Sequence, residues 1–316
     1  MKILVTGPAG YIGSKLVPKL LENGHEVIGL DNLTFGYHTL IPYLDNKRFK
    51  FIKDDILNIE SHKKLFENID GIVHLAAIVG FPACQKEPEL AIKINLESTK
   101  KLINLKKDNT FFIYASTCSN YGHRGTNEEC QEDAPLNPLS LYGTTKVDSE
   151  KYILKKPNSL ALRFATAFGI SSRLRLDLLA NNFVISAITK KKIEIYEAHH
   201  RRSFVHVTDI SNSIFFAINN YKKMEGEAYN VGGKNLNITK LDLAKMVDKY
   251  VGCEIATITG EDADQRDYII NFEKIKSMGF ECKKTLEEGI QETSKVIKYL
   301  IDTKEFESFK KFYENI

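Results

Sequence analysis

The chain opens with Lys2-Ile3-Leu4-Val5-Thr6-Gly7-Pro8-Ala9-Gly10-Tyr11-Ile12-Gly13, and the reading of this stretch decides the fold. A short aliphatic run at residues 3–5 reads as a strand. A turn carrying Gly7, Gly10 and Gly13 follows at once. Residues 11–23 then place Ile12, Leu16, Leu20 and Leu21 at helical spacing. Strand, glycine turn, helix is the order in which a backbone approaches a pyrophosphate closely. The helix start offers unpaired N–H groups and a positive dipole end to that charge. The spacing is Gly-x-x-Gly-x-x-Gly, unlike the commoner Gly-x-Gly-x-x-Gly fingerprint.

Working outward, residues 25–30 read as a second strand ending in Asp31, 18 positions after Gly13. That is close to the spacing at which a carboxylate meets an adenosine ribose. No Arg or Lys follows until Lys47, so NAD is favoured over NADP. Strands are expected at 49–53, 71–77, 111–115 and 159–163. Helices are expected at 88–107, interrupted by Asn95, and at 140–155. This alternation predicts an α/β fold with a Rossmann-type, doubly wound parallel sheet. Beyond Gly169 the pattern becomes irregular over 171–177, then alternates helices (178–189, 207–221, 240–251, 286–302) with short strands. The expected organisation is a dinucleotide-binding domain over 1–169 and a smaller mixed α/β substrate lobe over 170–316, with some of its segments returning to the first domain.

Bulk properties bound the function. The chain has 316 residues, 43% of them hydrophobic and 27% charged, as in a globular protein. A net charge of +3 makes no electrostatic case for nucleic acid or a membrane surface. Five scattered cysteines without Cys-x-x-Cys argue against a disulfide framework or a zinc ribbon. No signal peptide or membrane-length apolar run is read, so a cytoplasmic enzyme with reduced thiols is expected. His199 and His200 are adjacent but lack two further ligands at suitable spacing, so no metal site is expected.

The chemistry centres on Tyr142-Gly143-Thr144-Thr145-Lys146, which puts a phenol and an ammonium on one helix face. A phenol is a poor base at neutral pH, and a neighbouring cation favours the phenolate. Tyr142 can then take a proton from a sugar hydroxyl as hydride leaves the same carbon. Thr117, at a strand end, can share the hydrogen bonds of the developing oxyanion.

Together with residues 6–13, Asp31-Asn32-Leu33, Asp55-Ile56, His74-Leu75-Ala76-Ala77, Asn95, Ser116-Thr117, Tyr121-Gly122, Arg163 and Arg202-Ser203-Phe204-Val205-His206-Val207-x-Asp209, these residues resemble the extended short-chain dehydrogenase/reductase superfamily over essentially the whole chain. Within it the likeness is to the NAD-dependent nucleotide-sugar epimerases and dehydratases. The resemblance implies catalysis by Thr117, Tyr142 and Lys146. It implies NAD held by Gly7, Gly10, Tyr11, Ile12, Gly13, Asp31, Asn32, Asp55, Ile56, Leu75, Ala76, Ala77, Asn95, Tyr142 and Lys146. It implies a nucleotide-diphosphate sugar contacted by Thr117, Thr166, Asn182, Tyr196, Arg202 and Arg266, the two arginines holding the diphosphate. A homodimer or homotetramer is expected.

The departures are informative. Sugar-nucleotide 4,6-dehydratases carry an Asp-Glu pair where this chain has Cys118 and Ser119. Fucose-forming epimerase-reductases carry a cysteine where it has Ser119. The asparagine expected three residues after Arg163 is Thr166, and residues 197–202 replace a glycine-rich loop. Residues 172–177, 197–202 and 260–267 resemble a subgroup from polysaccharide gene clusters, which includes enzymes oxidising C4 of GDP-heptoses and UDP-glucose 4-epimerase-like proteins. The expected activity is therefore oxidation at C4 of a nucleotide sugar, as 4-epimerase or 4-dehydrogenase. Its competitors are a 4,6-dehydratase/reductase and a non-catalytic NAD-binding regulator.

Overall fold

A computed structural model describes residues 1–124, 129–260 and 266–313; residues 261–265 of the 260–267 signature lie outside them. The strands run in chain order as β1 (Lys2–Thr6), β2 (Glu26–Asp31), β3 (Phe49–Lys53), β4 (Gly71–His74), β5 (Phe111–Thr117), β6 (Glu129–Cys130), β7 (Ser159–Phe164), β8 (Thr166–Phe168), β9 (Lys192–Tyr196), β10 (Arg201–His206), β11 (Ala228–Val231), β12 (Asn237–Thr239), β13 (Glu254–Ile258) and β14 (Ile269–Ile270). Seven of them form a parallel sheet in the order β11-β7-β5-β4-β1-β2-β3. The strand order reverses at β1, so a ligand crevice opens beyond the carboxyl ends of β1 and β4.

Period-two alternation builds the two faces of this sheet. Ile3, Val5, Val27, Val73 and Ile113 face one core, covered by the helices Gly13–Glu22 and Val207–Met224 through Leu16, Val17, Leu20, Ile210 and Ile214. Leu4, Ile28, Leu30, Ile72 and Phe112 face the other, which contains Leu102, Ile103 and Ile153 from the helices Ser98–Leu105 and Leu141–Ile153. A third core, around Phe183, Val184, Ile193, Phe204, Leu243 and Ile290, holds the C-terminal lobe with its small sheets β12-β10-β8 and β13-β9.

The sequence pattern placed these elements to within a few residues. β11, from beyond Gly169, pairs with β7 in the main sheet. One difference is informative. The helical stretch from Pro88 is not broken at Asn95: Lys93–Glu97 forms a π-helical turn between Pro88–Ile92 and Ser98–Leu105. Such single turns recur at functional sites, and this one turns Asn95 inward.

Candidate active site

The glycine turn is shaped for close approach. Gly7 has φ +74°, a conformation that favours glycine, and a Cβ there would come within 3.0 Å of the Ala76 backbone nitrogen. A Cβ on Gly13 would fall 2.7 Å from Pro8 Cα and closer still to the Gly7 carbonyl oxygen, which are backbone atoms that cannot yield. The Thr6 hydroxyl accepts from the N–H groups of Leu75 and Ala76, both at 3.2 Å, which draws the ends of β1 and β4 together. Asp31 accepts from Ala9 N at 3.0 Å and Leu33 N at 2.8 Å, so it also braces the turn. Burial raises its carboxyl, against the pull of those two N–H groups. Asn32 Nδ2 donates to Asp55 Oδ2 at 2.8 Å, and Asp55 caps the segment that starts at Ile56. Tyr11 donates from its hydroxyl to the Gly169 carbonyl at 2.8 Å, joining the turn to the second lobe. Asn95 engages Ile78 with both polar ends, donating to its carbonyl and accepting from its N–H at 2.9 Å each. It thereby fixes the small-residue loop after β4. A glycine cradle with an acidic residue at the end of β2 fits a dinucleotide whose ribose carries no 2′-phosphate.

Ser140 caps the helix Leu141–Ile153 by accepting from Gly143 N, so Tyr142 stands in its first turn and Lys146 one turn on. The same face continues to Glu150, which forms a buried ion pair with Arg163 at 2.6 Å and accepts from the Ser116 hydroxyl at 2.5 Å. Arg163 also donates to the Tyr121 hydroxyl at 2.7 Å. This network pins the helix to β5 and β7 and so sets where Tyr142 and Lys146 stand relative to Thr117. Lys146 is 3% exposed; its Nζ donates to the Ala115 carbonyl at 2.9 Å and lies 5.9 Å from the centre of the Tyr142 ring. Burial depresses its ammonium to about 8.

The Tyr142 phenol is pushed up to about 12 by burial, with Cys84 adding to the rise. Arg175, Arg266 and the neighbouring Thr117 hydroxyl pull it down. Within the polypeptide, burial thus outweighs the cations, contrary to the expectation of a lowered phenol. Oxidised nicotinamide, when bound, would add a further positive charge beside the phenol.

Thr117 ends β5 and donates to the Ser119 hydroxyl at 2.9 Å. Ser119 also accepts from Arg266 Nη1. Cys118 turns the opposite way: it is fully buried, its Sγ donates to the Arg163 carbonyl at 3.1 Å, and burial pushes its thiol well up. Arg202 is buried and donates to the carbonyls of Arg201 and Arg266, so it stands behind Arg266. Thr166 lies on β8 with a buried hydroxyl that has no hydrogen-bond partner. Tyr196 is exposed beside Gly260.

Asn182 faces outward, whereas its neighbour Asn181 is buried and bonds to Gly169 N, Gly169 O and Arg175 O. Arg175 received no role from the sequence. It pairs with Asp177 at 2.7 Å, and its charge offsets part of the rise that burial imposes on the Tyr11 and Tyr142 phenols. Its only sequence signal was membership of the 172–177 signature. His200 stands 3.2 Å from Glu197 and packs against His199, and among the described residues no group of three or more His, Cys, Asp or Glu could hold a metal ion.

A parallel sheet with a glycine turn at its reversal point is the architecture of a dinucleotide-binding enzyme. Residues 3–232 match the model of the NAD dependent epimerase/dehydratase family, and the chain belongs to that family. It is an NAD-dependent enzyme of the nucleotide-sugar epimerase/dehydratase type. It is 30% identical over 302 residues to a putative UDP-glucose 4-epimerase of Methanocaldococcus jannaschii, covering 92% of this chain and 96% of that one. Its fold matches the UDP-glucuronic acid 4-epimerase of Bacillus cereus, solved with UDP-glucuronic acid and NAD, with a TM-score of 0.85 and 28% identity over 95% of this chain and 100% of that one. It also matches the dTDP-glucose 4,6-dehydratase of Bacillus anthracis, solved with NAD, with a TM-score of 0.83 and 28% identity over 96% and 98% of the two chains. Among the described residues no helix is long and apolar enough to cross a membrane.

Proposed function

We propose that this enzyme oxidises C4 of a nucleotide-linked hexose or heptose, as a 4-epimerase or a 4-dehydrogenase in surface polysaccharide synthesis. The observation that supports the reading is the convergence of Tyr142, Lys146 and Thr117 at the carboxyl end of β5, on the same sheet edge as the glycine turn after β1 and one strand removed from it. When bound, nicotinamide supplies the hydride acceptor. Tyr142 takes the proton of the C4 hydroxyl at its phenolic oxygen. Thr117 steadies the oxygen left behind, and Lys146 holds positive charge beside the phenol. Arg266, with Arg202 behind it, faces the diphosphate, for which a guanidinium is suited. A homodimer or homotetramer in the cytoplasm is the assembly expected.

Elimination of water across C5 and C6 requires a base for the C5 proton and an acid for the leaving hydroxyl. Cys118 points into the core with a raised thiol, and Ser119 offers only a hydroxyl. Neither suits those tasks, which favours simple redox chemistry over dehydration. The test is incubation of purified protein with UDP-, GDP-, dTDP- and CDP-sugars, followed by mass and NMR analysis. A product of unchanged mass indicates the epimerase, and one lighter by two hydrogens the dehydrogenase. A product about 18 mass units lighter, the loss of one water, overturns the argument from Cys118 and Ser119.

A further inference from the structure

Ser119 sits between two residues already given roles. Its hydroxyl accepts from Arg266 Nη1 and from the Thr117 hydroxyl at 2.9 Å, and its backbone N–H donates to Thr117 Oγ1 at 3.1 Å. Thr117 in turn stands close enough to the Tyr142 phenol to pull it down against the rise that burial imposes. Four side chains therefore form one chain: Arg266, Ser119, Thr117, Tyr142. Ser119 is 9% exposed and Thr117 8%, so the middle of this chain is shielded from water. We propose that Ser119 is a positioning residue that relays the charge of Arg266 to the catalytic tyrosine through Thr117.

The proton inventory fixes how the relay works. A hydroxyl has one proton and two acceptor sites, and a guanidinium can only donate. With Tyr142 neutral, Tyr142 can donate to Thr117, while Thr117 donates to Ser119 at 2.9 Å. Ser119 then accepts from both sides, and its own proton has no place in the chain. When Tyr142 is a phenolate it can only accept. Thr117 and Ser119 rotate, so that Arg266 donates to Ser119, Ser119 to Thr117 and Thr117 to Tyr142. No proton leaves its oxygen, and the Ser119 proton joins the chain. Both states hold three hydrogen bonds, but only in the phenolate state do all of them point from Arg266 toward Tyr142, and the fixed donor at the far end biases the chain toward it. Chains of this kind polarise cooperatively in a low-dielectric interior.

Arg266 would then serve twice: one N–H supports the base, while the guanidinium as a whole faces the diphosphate. Filling the diphosphate site would alter the charge that the base senses through Ser119. A carboxylate at position 119 could not take this part, since an ionised acid has no proton to pass along.

The inference rests on the reading of Tyr142 as the base, and the experiment separates the two. The acid limb of kcat/KM against pH is measured for NAD-loaded wild type, Ser119→Ala, Ser119→Thr and Tyr142→Phe, using the nucleotide sugar turned over in the panel. Loss of the relay disfavours the phenolate, so the acid limb of Ser119→Ala moves to higher pH by about one unit, the lower end for one charge-assisted hydrogen bond. Ser119→Thr keeps the hydroxyl and restores the wild-type limb. Arg266→Gln leaves both hydroxyls in place and serves as the second variant if Ser119→Ala does not fold; it moves the limb the same way. In the double variant the shifts do not add. An unmoved acid limb in both single variants, alongside an inactive Tyr142→Phe, overturns the relay alone. Turnover retained by Tyr142→Phe overturns the reading of the base beneath it.

Discussion

Replacing Lys146 by methionine removes a charge from a site that strongly disfavours it. The folded chain holds this lysine at about 8 against an ordinary value of 10.5, with burial the leading cause. That depression corresponds to about 3 kcal/mol of cost for keeping the ammonium charged in the folded state. Between pH 8 and 10.5 the unfolded chain binds a proton that the folded chain does not, so wild-type stability rises with pH across this window. Below pH 8 the full cost is present. Methionine removes it but leaves the Ala115 carbonyl without its 2.9 Å donor, at a cost of about 1–3 kcal/mol. Lys146→Met should therefore be equal to wild type in stability or more stable by up to about 2 kcal/mol at pH 7, while losing activity. Its advantage should shrink steadily as pH rises past 8. Denaturant unfolding of the NAD-free proteins at pH 7 and pH 9.5, with turnover measured in parallel, checks this. A Lys146→Met protein clearly less stable at pH 7, with a deficit that does not change with pH, refutes the reasoning. So does one that keeps its activity.

Two further predictions follow from the same interior. Gly13→Ala puts a Cβ against Pro8 and Gly7 backbone atoms; overpacking of about 1–3 kcal/mol should weaken NAD binding by roughly tenfold to a hundredfold, and calorimetric affinities matching wild type would contradict it. His74 lies between the hydroxyls of Thr6 and Thr99 at 2.7 and 2.8 Å, and burial depresses it from 6.5 to about 3. Its folded value lies below its unfolded one, so its contribution is present above pH 6.5 and is lost at up to about 1.4 kcal/mol per pH unit as pH falls toward 3. His74→Asn should flatten that acid slope, and an unchanged slope between pH 7 and 5 would exclude His74 as its source.

Local patterns carried most of the fold because they obey short rules. The run before Gly7, the turn and the following helix are contiguous, and Tyr142 and Lys146 share a face by helical geometry alone. The return of β11 to the main sheet is a pairing with β7 across more than sixty residues, which no local period records. Neighbouring identical residues defeated a finer reading: Asn181 and Asn182 differ only in which side of the helix Leu179–Lys190 they occupy, and the inward one is Asn181. Cys118 and Ser119 are adjacent, yet the short helical turn after β5 sends one to the core and the other to Arg266. The influence of Arg175 on Tyr142 depends on a loop whose path is set by Asn181 and Asp177, not by any periodicity.

Oxidation at C4 is tested most directly by following the hydrogen that leaves. NAD-loaded protein is mixed with a nucleotide sugar deuterated at C4, and the cofactor is extracted and examined by mass spectrometry and NMR. The account predicts deuterium on the reduced nicotinamide with wild type and none with Tyr142→Phe. Because an epimerase returns the deuteride to C4, the cofactor is sampled by rapid quench during turnover; product formed with no labelled reduced cofactor at any quench time, or with the label passing to solvent, would contradict it.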